Sequence, residues 1–505
     1  MAVDTVLIVG ILLSVVVHLL LRRRLRSNPR LPLPPGPKGI PVLGALPQIG
    51  PMAHASLAEL AKRYGPIMHL KMGTVRVVVA STAGAARSFL KAHDLQFANR
   101  PSTISGKDVT YDGQNFVFSN YGPRWKLLRR FSNLHLLGPK AIAEWAQVRA
   151  DEVGRLLRSM RESSKNSRPV FVQEAVVCSN ANIIGQVVLS RRVFAAQGEE
   201  SSKFKHAVTE MLTGVGLFNI SDFVPAIAWM DLQGVQRHLR RAHLRMDAIL
   251  SEFVAEHQET AHERKGRPDV LDLLLANKVD ADGVSLSDVN IRGFIFDMFV
   301  AGTDTSSVTI EWALAEMLKN PTILKKAQAE MDQVIGKSRR LEESDIPKLP
   351  YLRAICKEAL RLHPSTPLGI PHYSFESCEV DGYYIPENTR LLINIWAIGR
   401  DPNVWEDPLE FKPERFLSGK NAHIEPLGND FELIPFGAGR RICAGMQLGL
   451  VFVQYTLGSL VHSFDWKLAD DVEELNMEER FGLVLPKAVP LKTAVSPRLA
   501  DSAYM

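Results

Sequence analysis

The ten residues FGAGRRICAG, at positions 436–445, place one thiol in a turn rich in glycine and arginine. The two glycines ahead of the arginines permit tight backbone with positive φ, and Gly445 lets another group approach the chain just beyond Cys443. An apolar helix is predicted to begin near Cys443. The free N–H groups of its first turn, with Arg440 and Arg441, are expected to lower the thiol pKa. A soft thiolate held in this way suits iron or copper, whereas the alternative is a buried structural cysteine.

A charged pair and a hydroxyl-rich segment lie upstream of this turn. Glu358 and Arg361, in KEALRLHP, are three residues apart and therefore share one face of a predicted helix. Such a pair alone is typical of a solvated helix surface. The segment FVAGTDTSS, residues 299–307, places Gly302 and several hydroxyl groups in an apolar helix. This pattern fits either a helix kink or a proton path in which a buried acid adjoins a hydroxyl.

In this order, the segments resemble the cytochrome P450 family. The cysteine turn matches the pattern F-x-x-G-x-R-x-C-x-G, FVAGTDTSS contains A-G-x-D-T, and FKPERF follows the charged pair at residues 411–416. The resemblance implies haem b with the Cys443 thiolate as the axial ligand of its iron, an arrangement whose electron donation favours O–O cleavage. The resemblance covers almost the whole chain.

The same resemblance implies roles for other motif residues. Thr305 would organise water near the reacting oxygen, Asp304 would help to relay protons, and Ala301 and Gly302 would leave room above the haem. A buried structural network around the haem loop would comprise Glu358, Arg361 and Arg415. Contacts to the haem and its propionates are expected from Arg100, Trp125, Arg129, His372, Phe436, Arg441 and Gly445. Many relatives carry Arg at the position of His372, so this contact is expected to depend on pH.

The implied substrate pocket combines the loop at residues 101–120, the central helix and two C-terminal segments. Apolar and aromatic side chains there suit a flat phenolic ligand, and they would equally suit core packing. LGIPHYS (368–374) and ERFGLVLPKAVPL (479–491) depart from the sequences that we expect in the most similar subfamily, which leaves the substrate open at these points. The expected pocket residues are Phe116, Phe118, Phe294, Ala301, Leu368, Ile370 and Phe481.

The C-terminal third is similar to plant microsomal members of the family that hydroxylate the B-ring of flavonoids. This similarity implies a monooxygenase that acts on flavanones, dihydroflavonols or flavones at the 3' and 5' positions, with dioxygen and electrons derived from NADPH. Hydroxylation at the 3' position alone is one alternative. A haem-thiolate isomerase or dehydratase is another, although such enzymes often lack an acid–hydroxyl pair like Asp304 and Thr305. A non-catalytic haem protein would need no such pair.

The implied electron donor is NADPH–cytochrome P450 reductase, with cytochrome b5 as a further donor. Lys126, Arg129, Arg130 and Arg440 lie on segments near the thiolate side and could dock an acidic reductase surface; solvated charges are the alternative. The net charge of +5 over 505 residues comes from nearly equal numbers of acids and bases, so nucleic acid is not indicated. Four cysteines without zinc-type or CxxC spacing favour a reducing compartment.

Residues 5–21, TVLIVGILLSVVVHLLL, are predicted to form a membrane anchor. His18 is their only ionisable group, and four arginines follow directly between positions 22 and 26. The positive-inside rule then places the catalytic domain in the cytosol, on a single pass through the endoplasmic reticulum membrane. A cleavable signal peptide, the alternative, would carry its positive charge before the apolar run. The predicted division is an anchor with a basic stop-transfer segment (1–26), a proline-rich hinge (27–50) and a haem-binding catalytic domain (51–505).

Hydrophobic periodicity predicts a mostly α protein with minor β structure, and the resemblance makes this a cytochrome P450 fold preceded by an N-terminal transmembrane helix. The elements do not repeat as βαβ units, which argues against a Rossmann fold. A small sheet is predicted over 64–80, with short strands at 378–385 and 390–394. Helices are predicted at 82–93, 139–163, 204–216, 233–263, 284–319, 321–335 and 351–362, and from near Cys443 to about Ser463.

Overall fold

The computed structural model describes residues 31–104, 106–194, 217–264, 266–279 and 282–505. The predicted anchor at 5–21 and the predicted helix at 204–216 lie outside these residues. Within them, none of the helices combines the length and the apolar composition that crossing a bilayer requires. The described part of the chain is mostly helical with a minor share of β structure, as predicted.

Several helices begin at a proline. Pro123, Pro139, Pro321 and Pro350 each occupy the first turn of a helix, where the missing N–H has no partner to lose. The α-helices, numbered along the chain, are α1 (Ala53–Tyr64), α2 (Ala83–Arg87), α3 (Pro123–Ser132), α4 (Pro139–Glu144), α5 (Ala146–Lys165), α6 (Val172–Leu189), α7 (Val235–Glu259), α8 (Val270–Ala276), α9 (Asp288–Lys319), α10 (Pro321–Val334), α11 (Pro350–Leu362), α12 (Ile395–Ile398) and α13 (Met446–Ser463).

The strands of the described residues form small sheets at the edge of the helices. They are β1 (Ile67–Met72), β2 (Val75–Ala80), β3 (Val170–Phe171), β4 (His372–Tyr373), β5 (Cys378–Val380), β6 (Tyr383–Ile385), β7 (Thr389–Ile393), β8 (Phe464–Leu468) and β9 (Lys492–Pro497). One sheet has the order β1–β2–β7–β4, in which β1 and β2 are antiparallel and β2 and β7 are parallel. Strand β2 lies inside this sheet, which explains its nearly continuous apolar sequence. The other sheets are β3–β9–β8 and the hairpin β5–β6.

Helix α9 is the centre of the described structure. Its N-terminus is capped by Ser287 and Asn290, each of whose side chains accepts a backbone N–H of the other residue. The helix is apolar on nearly every face, as expected for a helix buried on all sides, and it packs against α6, α7, α10, α11 and α13. The charged pair lies on α11 and the cysteine turn precedes α13, so the packing around α9 brings the sequence motifs together.

The predictions from periodicity are confirmed for most described elements, and the misses have a physical cause. The segment predicted as one helix at 139–163 is two helices that meet at Trp145, and the final apolar helix begins at Met446. Helix α6 has no predicted counterpart, because buried residues lie on most of its faces and leave no helical period. Strands β8 and β9 also have none; they depend on pairing between distant segments.

The proline-rich segment packs on the globule. The carbonyl oxygens of Pro32 and Pro35 accept backbone N–H groups of Tyr384 and His69, at 2.8 and 2.9 Å. Ala45, further along the segment, is fully buried. The described part of the predicted hinge therefore contacts strands β6 and β1 directly.

Candidate active site

The backbone of the cysteine turn has the geometry that its glycines permit. Gly437 and Gly439 adopt positive φ angles of 69° and 68°. A Cβ on Gly439 would lie 2.0 Å from the carbonyl oxygen of Leu90, so only glycine fits at this position. The N–H of Cys443 donates to the carbonyl oxygen of Phe436 at 2.9 Å and closes the turn just ahead of α13.

The surroundings of the thiol leave space on one side. Gly445 is the N-cap of α13 with an ordinary negative φ, and a Cβ there would lie 4.0 Å from the Cys443 sulfur. The ring of Phe436 lies 3.5 Å from where a Cβ of Gly449 would stand, so it covers the first turn of α13. All four cysteines of the chain are free, so no disulfide competes for this thiol.

The predicted lowering of the thiol pKa is wrong for the polypeptide by itself. Burial raises the pKa of Cys443, and the N–H of Gly445 and the charge of Arg129 offset only part of that effect. Arg440 and Arg441 belong to the turn, but their guanidinium groups bind other partners. The cation near the sulfur is Arg129 of α3, whose guanidinium donates to the carbonyl oxygen just before Cys443 at 2.9 Å. A metal that binds the sulfur replaces its proton, so the thiolate here depends on the metal.

Glu358, Arg361 and Arg415 form a buried network behind this turn. Arg361 donates from two guanidinium nitrogens to both carboxylate oxygens of Glu358, each at 2.7 Å, and Arg415 reaches one of these oxygens at 3.1 Å. The side chains of Glu358 and Arg361 are fully buried. The other donors of Arg361 bind backbone carbonyl oxygens between positions 399 and 410. The network therefore ties α11 to the segment that leads into the cysteine turn.

Basic side chains gather around Trp125 on α3. The guanidinium groups of Arg441 and Arg129 lie 4.9 and 6.0 Å from the centre of its ring system. Arg100 donates to the two backbone carbonyl oxygens that precede His372, at 2.7 and 2.9 Å. The imidazole Nδ1 of His372 lies 2.9 Å from a backbone carbonyl oxygen. Five residues from four separate parts of the chain thus meet at one place.

These basic groups are buried together and disfavour one another's charge. Burial, and then the charge of Arg441, lower the pKa of Arg100. Burial and the charge of Arg129 lower the pKa of Arg441 to about 10. The pKa of His372 falls well below its usual value through burial and the charges of Arg100 and Arg441.

The basic group formed by Arg100, Arg129, His372 and Arg441 requires an anion. Within the part of the chain that the structure describes, no carboxylate pairs with Arg100, Arg129 or Arg441, and Nε of Arg100 is buried without a hydrogen-bond partner. The two propionates of a haem meet that requirement. Cys443 and Ala301 keep accessible surface within otherwise buried surroundings, as residues that face a bound group do. The residues that would hold the haem are Cys443, Arg100, Trp125, Arg129, His372, Arg441, Phe436 and Gly445.

The A-G-x-D-T segment lies within α9, which continues on both sides without a break. The hydroxyl of Thr305 donates to the carbonyl oxygen of Ala301 at 2.7 Å. Asp304 points toward α6, where Gln173 donates to its carboxylate at 3.3 Å and burial raises its pKa. A Cβ on Gly302 would lie 2.6 Å from a side-chain carbon of α6. Gly302 therefore permits close packing of α6 on α9.

A cavity of about 790 Å³ adjoins the basic group. Phe118, Leu368 and Phe481, all expected in the substrate pocket, belong to its lining. Arg100 and Trp125 belong to the same lining. The cavity therefore extends from residues 481–483 to the residues that would bind the propionates.

Other residues expected in the pocket lie elsewhere. Phe294 is fully buried, and its ring centre is 6.0 Å from that of Phe116 and 5.9 Å from that of Phe131. Phe116 is also buried and stacks on Trp125, so the structure places both rings in the core. Ala301 and Ile370 keep accessible surface, but neither belongs to the lining of this cavity.

Asp297 supports the loop that carries Phe118 and belongs to none of the sequence motifs. Its carboxylate accepts the side-chain amide of Asn115 at 2.7 Å and the N–H of Val117 at 2.9 Å, so it binds the loop before α3 to helix α9. Asp297 is buried, and burial raises its pKa to about 7. An acid inside the apolar run FIFDMFVAG was the available signal, because a lone buried acid needs a specific partner.

Known proteins are similar to this chain in sequence and in fold. The sequence model of the family described as Cytochrome P450 matches residues 34–492. A flavonoid 3',5'-hydroxylase of Solanum melongena is 56% identical over 99% of this chain and 98% of its own length. A flavonoid 3'-monooxygenase of Arabidopsis thaliana is 47% identical over 99% of this chain and 98% of its own. A zebra fish cytochrome P450 solved with progesterone superposes with a TM-score of 0.76 at 26% identity, over 88% of this chain and 99% of that one.

Proposed function

The chain belongs to the cytochrome P450 family, and from that premise we propose that it hydroxylates the B-ring of flavonoids at the 3' and 5' positions. It is a haem-thiolate monooxygenase, which takes a small-molecule substrate and electrons from a redox partner. One observation carries the choice of substrate: the near full-length identity is 56% to a flavonoid 3',5'-hydroxylase and 47% to a flavonoid 3'-monooxygenase. Hydroxylation at the 3' position alone is the second candidate.

The cavity supports a flat phenolic substrate. Phe118, Leu368 and Phe481 provide apolar and aromatic walls, against which an aromatic ring system packs well. Thr103 and Thr110 in the same lining offer hydroxyl groups that can pair with phenolic oxygens. Mostly apolar walls with a few polar groups are typical of small-molecule sites.

The polypeptide positions the cofactor. When bound, the haem supplies the oxidising centre that cleaves dioxygen and inserts one oxygen atom into the substrate. Cys443 would hold the iron, and the network behind its turn keeps the sulfur in place. Arg100, Arg129 and Arg441 would neutralise the propionates, which would remove the mutual repulsion that these arginines have without an anion.

Helix α9 carries two side chains that can hold and exchange protons, Asp304 and Thr305. Burial raises the pKa of Asp304 and so favours its protonated acid, while Gln173 orients the carboxyl group. Thr305 is the adjacent residue, and its hydroxyl, anchored on the carbonyl oxygen of Ala301, can exchange a proton with water at the accessible surface of Ala301. The two side chains leave the helix in different directions, so water has to connect them.

The proposed electron donors are NADPH–cytochrome P450 reductase and, as a further donor, cytochrome b5. Lys126, Arg130 and Arg440 are exposed near the thiolate side and suit an acidic partner surface. Arg440 already pairs with Asp94 at 3.2 Å, so part of its charge is used within the chain. Arg129 is only partly exposed and contacts the cysteine turn, which favours a role at the haem over docking.

The proposed location is the endoplasmic reticulum membrane, with residues 5–21 as a single-pass anchor and the catalytic domain in the cytosol. Exposed apolar side chains support contact with a membrane surface. They occur at Ile40, Val42, Leu217, Phe218, Trp229, Met230 and Leu232, and Trp229 is 83% exposed. The two segments that carry them meet at the β1–β2 turn, where Gly73 and Thr74 donate to backbone oxygens of Leu43 and Phe223.

The substrate proposal is tested with microsomes that contain the full chain and an NADPH-dependent reductase. We expect naringenin and dihydrokaempferol each to gain one and then two B-ring hydroxyl groups, identified by mass and retention. A product that stops at one hydroxyl group favours the 3'-hydroxylase. Products without any B-ring hydroxylation would refute the flavonoid proposal and leave the family assignment intact, and turnover that needs no NADPH would indicate an isomerase or dehydratase.

The membrane proposal is tested by removing residues 1–30. We expect the full chain to remain in the membrane pellet after an alkaline carbonate wash, and the shortened chain to be extracted by the wash. Extraction of the full chain would contradict the anchor. Retention of the shortened chain would show that the exposed apolar side chains suffice.

A further inference from the structure

The cavity wall at Phe481 is backed by buried polar side chains that the chemistry above does not use. Phe481, Gly482 and Leu483 line the cavity, and the ring of Phe481 stacks on that of His54 with centres 5.7 Å apart. His54 lies in α1 and is fully buried. Its Nε2 is 3.2 Å from the carboxylate of Glu479, two residues before Phe481. One imidazole therefore contacts both the cavity wall and the acid at the base of the loop.

Glu479 has further partners from other elements. The indole N–H of Trp396, on α12, donates to its carboxylate at 3.4 Å. Arg400 lies 3.8 Å and Nδ1 of His363 lies 3.9 Å from the same oxygen. Burial alone would raise the pKa of Glu479; the hydrogen bond with His54 and the charges of the surrounding basic groups reverse that effect. Glu479 is therefore an ionised acid that joins α1, α11 and α12.

The loop beyond Glu479 is closed by backbone hydrogen bonds, which couples the position of Glu479 to that of Phe481. The N–H of Arg480 donates to the carbonyl oxygen of Pro486 at 2.9 Å, and the N–H of Ala488 donates to the carbonyl oxygen of Glu478 at 2.8 Å. Only residues 481–485 lie between these bonded limbs. Any displacement of Glu479 therefore moves Phe481.

We propose that Glu479 is a positioning residue for substrate selectivity: through His54 and the closed loop, it holds Phe481 against the cavity. The inference rests on the proposed function for the identity of the substrate. Without the carboxylate, His54 loses its partner and the ring of Phe481 gains other rotamers. When the Phe481 side chain is mobile, the cavity admits additional orientations of the flavonoid. The B-ring of the flavonoid then reaches the oxidising centre less often in the productive geometry.

A double-mutant cycle tests whether Glu479 acts through Phe481. The variants are Glu479→Ala, Phe481→Ala and both together in the full-length holoenzyme, with naringenin affinity read from the Soret spectral shift. We expect Glu479→Ala to weaken binding about tenfold in the native background and less than about twofold in the Phe481→Ala background. We also expect it to change the ratio of singly to doubly hydroxylated product. Equal weakening in both backgrounds, or unchanged binding and product ratio, would overturn the proposal.

A matched control separates positioning from general stability. Glu343 binds the buried guanidinium of Arg149 through both carboxylate oxygens, at 2.6 and 2.7 Å, and neither residue lines the cavity. Glu343→Ala should reduce stability but leave the product ratio unchanged; an equal change in that ratio would refute a specific role for Glu479. The carbon monoxide difference spectrum reports whether each variant retains haem, and Glu479→Gln replaces Glu479→Ala if the latter loses it.

The outcome also distinguishes this inference from the substrate proposal. Wild-type enzyme that neither binds nor hydroxylates naringenin would refute the flavonoid substrate alone. The same cycle is then measured with clotrimazole, an azole that ligates haem iron and fills the adjoining cavity. Coupling between Glu479 and Phe481 in azole affinity would support the positioning role, and additive effects would refute it.

Discussion

The thiolate side and the substrate side of the active site are held in different ways. On the thiolate side, the cysteine turn is closed by its own backbone, and the buried network of Glu358, Arg361 and Arg415 satisfies nearly all of its donors. On the substrate side, residues between Ile49 and Leu483 line the cavity, and two single acids, Asp297 and Glu479, hold its loops. Damage to the first side should therefore abolish cofactor binding, whereas damage to the second should alter affinity and coupling.

The largest effect is expected from Cys443→Ser. A hydroxyl does not replace a thiolate as a ligand for this iron, so the carbon monoxide difference spectrum of thiolate-bound ferrous haem should be lost, together with all turnover. Cys378→Ser is the control, since Cys378 lies in the hairpin β5–β6; that variant should keep both. An unchanged spectrum in Cys443→Ser would remove the basis of the comparison.

Glu358→Gln should be the next most damaging change. It leaves two buried guanidinium groups without their counter-charge, which costs roughly 3–5 kcal/mol. The measurement is the urea midpoint of the holoenzyme, followed by the Soret band. Asp470→Asn is the control, because Asp470 and its partner Lys467 are 88% and 66% exposed and such a pair contributes less than about 1 kcal/mol. Similar shifts in both variants would show that the network is not the main support of the thiolate side.

Glu311→Gln tests a buried acid of helix α9 through the pH dependence of stability. One carboxylate oxygen of Glu311 accepts the N–H of Leu491 at 2.7 Å, and the other is buried without a hydrogen-bond partner. Burial, the largest cause, raises its pKa from 4.5 to about 7. Between these values the folded state holds more protons than the unfolded state, so the free energy of unfolding falls as pH rises through this window.

Glutamine does not titrate, so Glu311→Gln should gain stability over the wild type by up to about 3 kcal/mol between pH 4.5 and 7. The measurement is the difference in unfolding free energy at several pH values. Glu474→Gln, at an exposed position, should show no such trend. A constant difference between Glu311→Gln and the wild type would contradict the raised pKa.

The smallest change in stability is expected from Thr305→Ala, whose effect should fall on coupling. The variant should keep the wild-type carbon monoxide spectrum but form several-fold less product per NADPH consumed, because the hydroxyl no longer takes part in proton delivery. Thr309→Ala is a close control, since the hydroxyl of Thr309 also donates to a backbone oxygen of α9, at 3.0 Å, and is buried. Equal coupling in the two variants would exclude the role given to Thr305.

Sequence reasoning succeeded where the partners of a residue are local. Glu358 and Arg361 are one helical turn apart, and the glycines of the cysteine turn need only their own backbone. The sequence was less informative for the pocket, because Phe118 and Phe294 are both aromatic residues near the same motifs. Only the packing places Phe118 in the cavity wall and Phe294 in the core. Glu479 gave no signal, because its partners come from α1, α11 and α12.

The sequence by itself determined the helical class, the thiol in a glycine turn and the charged pair on one helix face, because each depends on spacing and on local backbone geometry. Only the tertiary structure decided that burial outweighs the nearby charges at Cys443, that Asp304 faces Gln173 of α6, and that Gly302 serves helix packing. Desolvation and contact depend on what distant segments bring to a residue, and no short stretch of sequence contains that information.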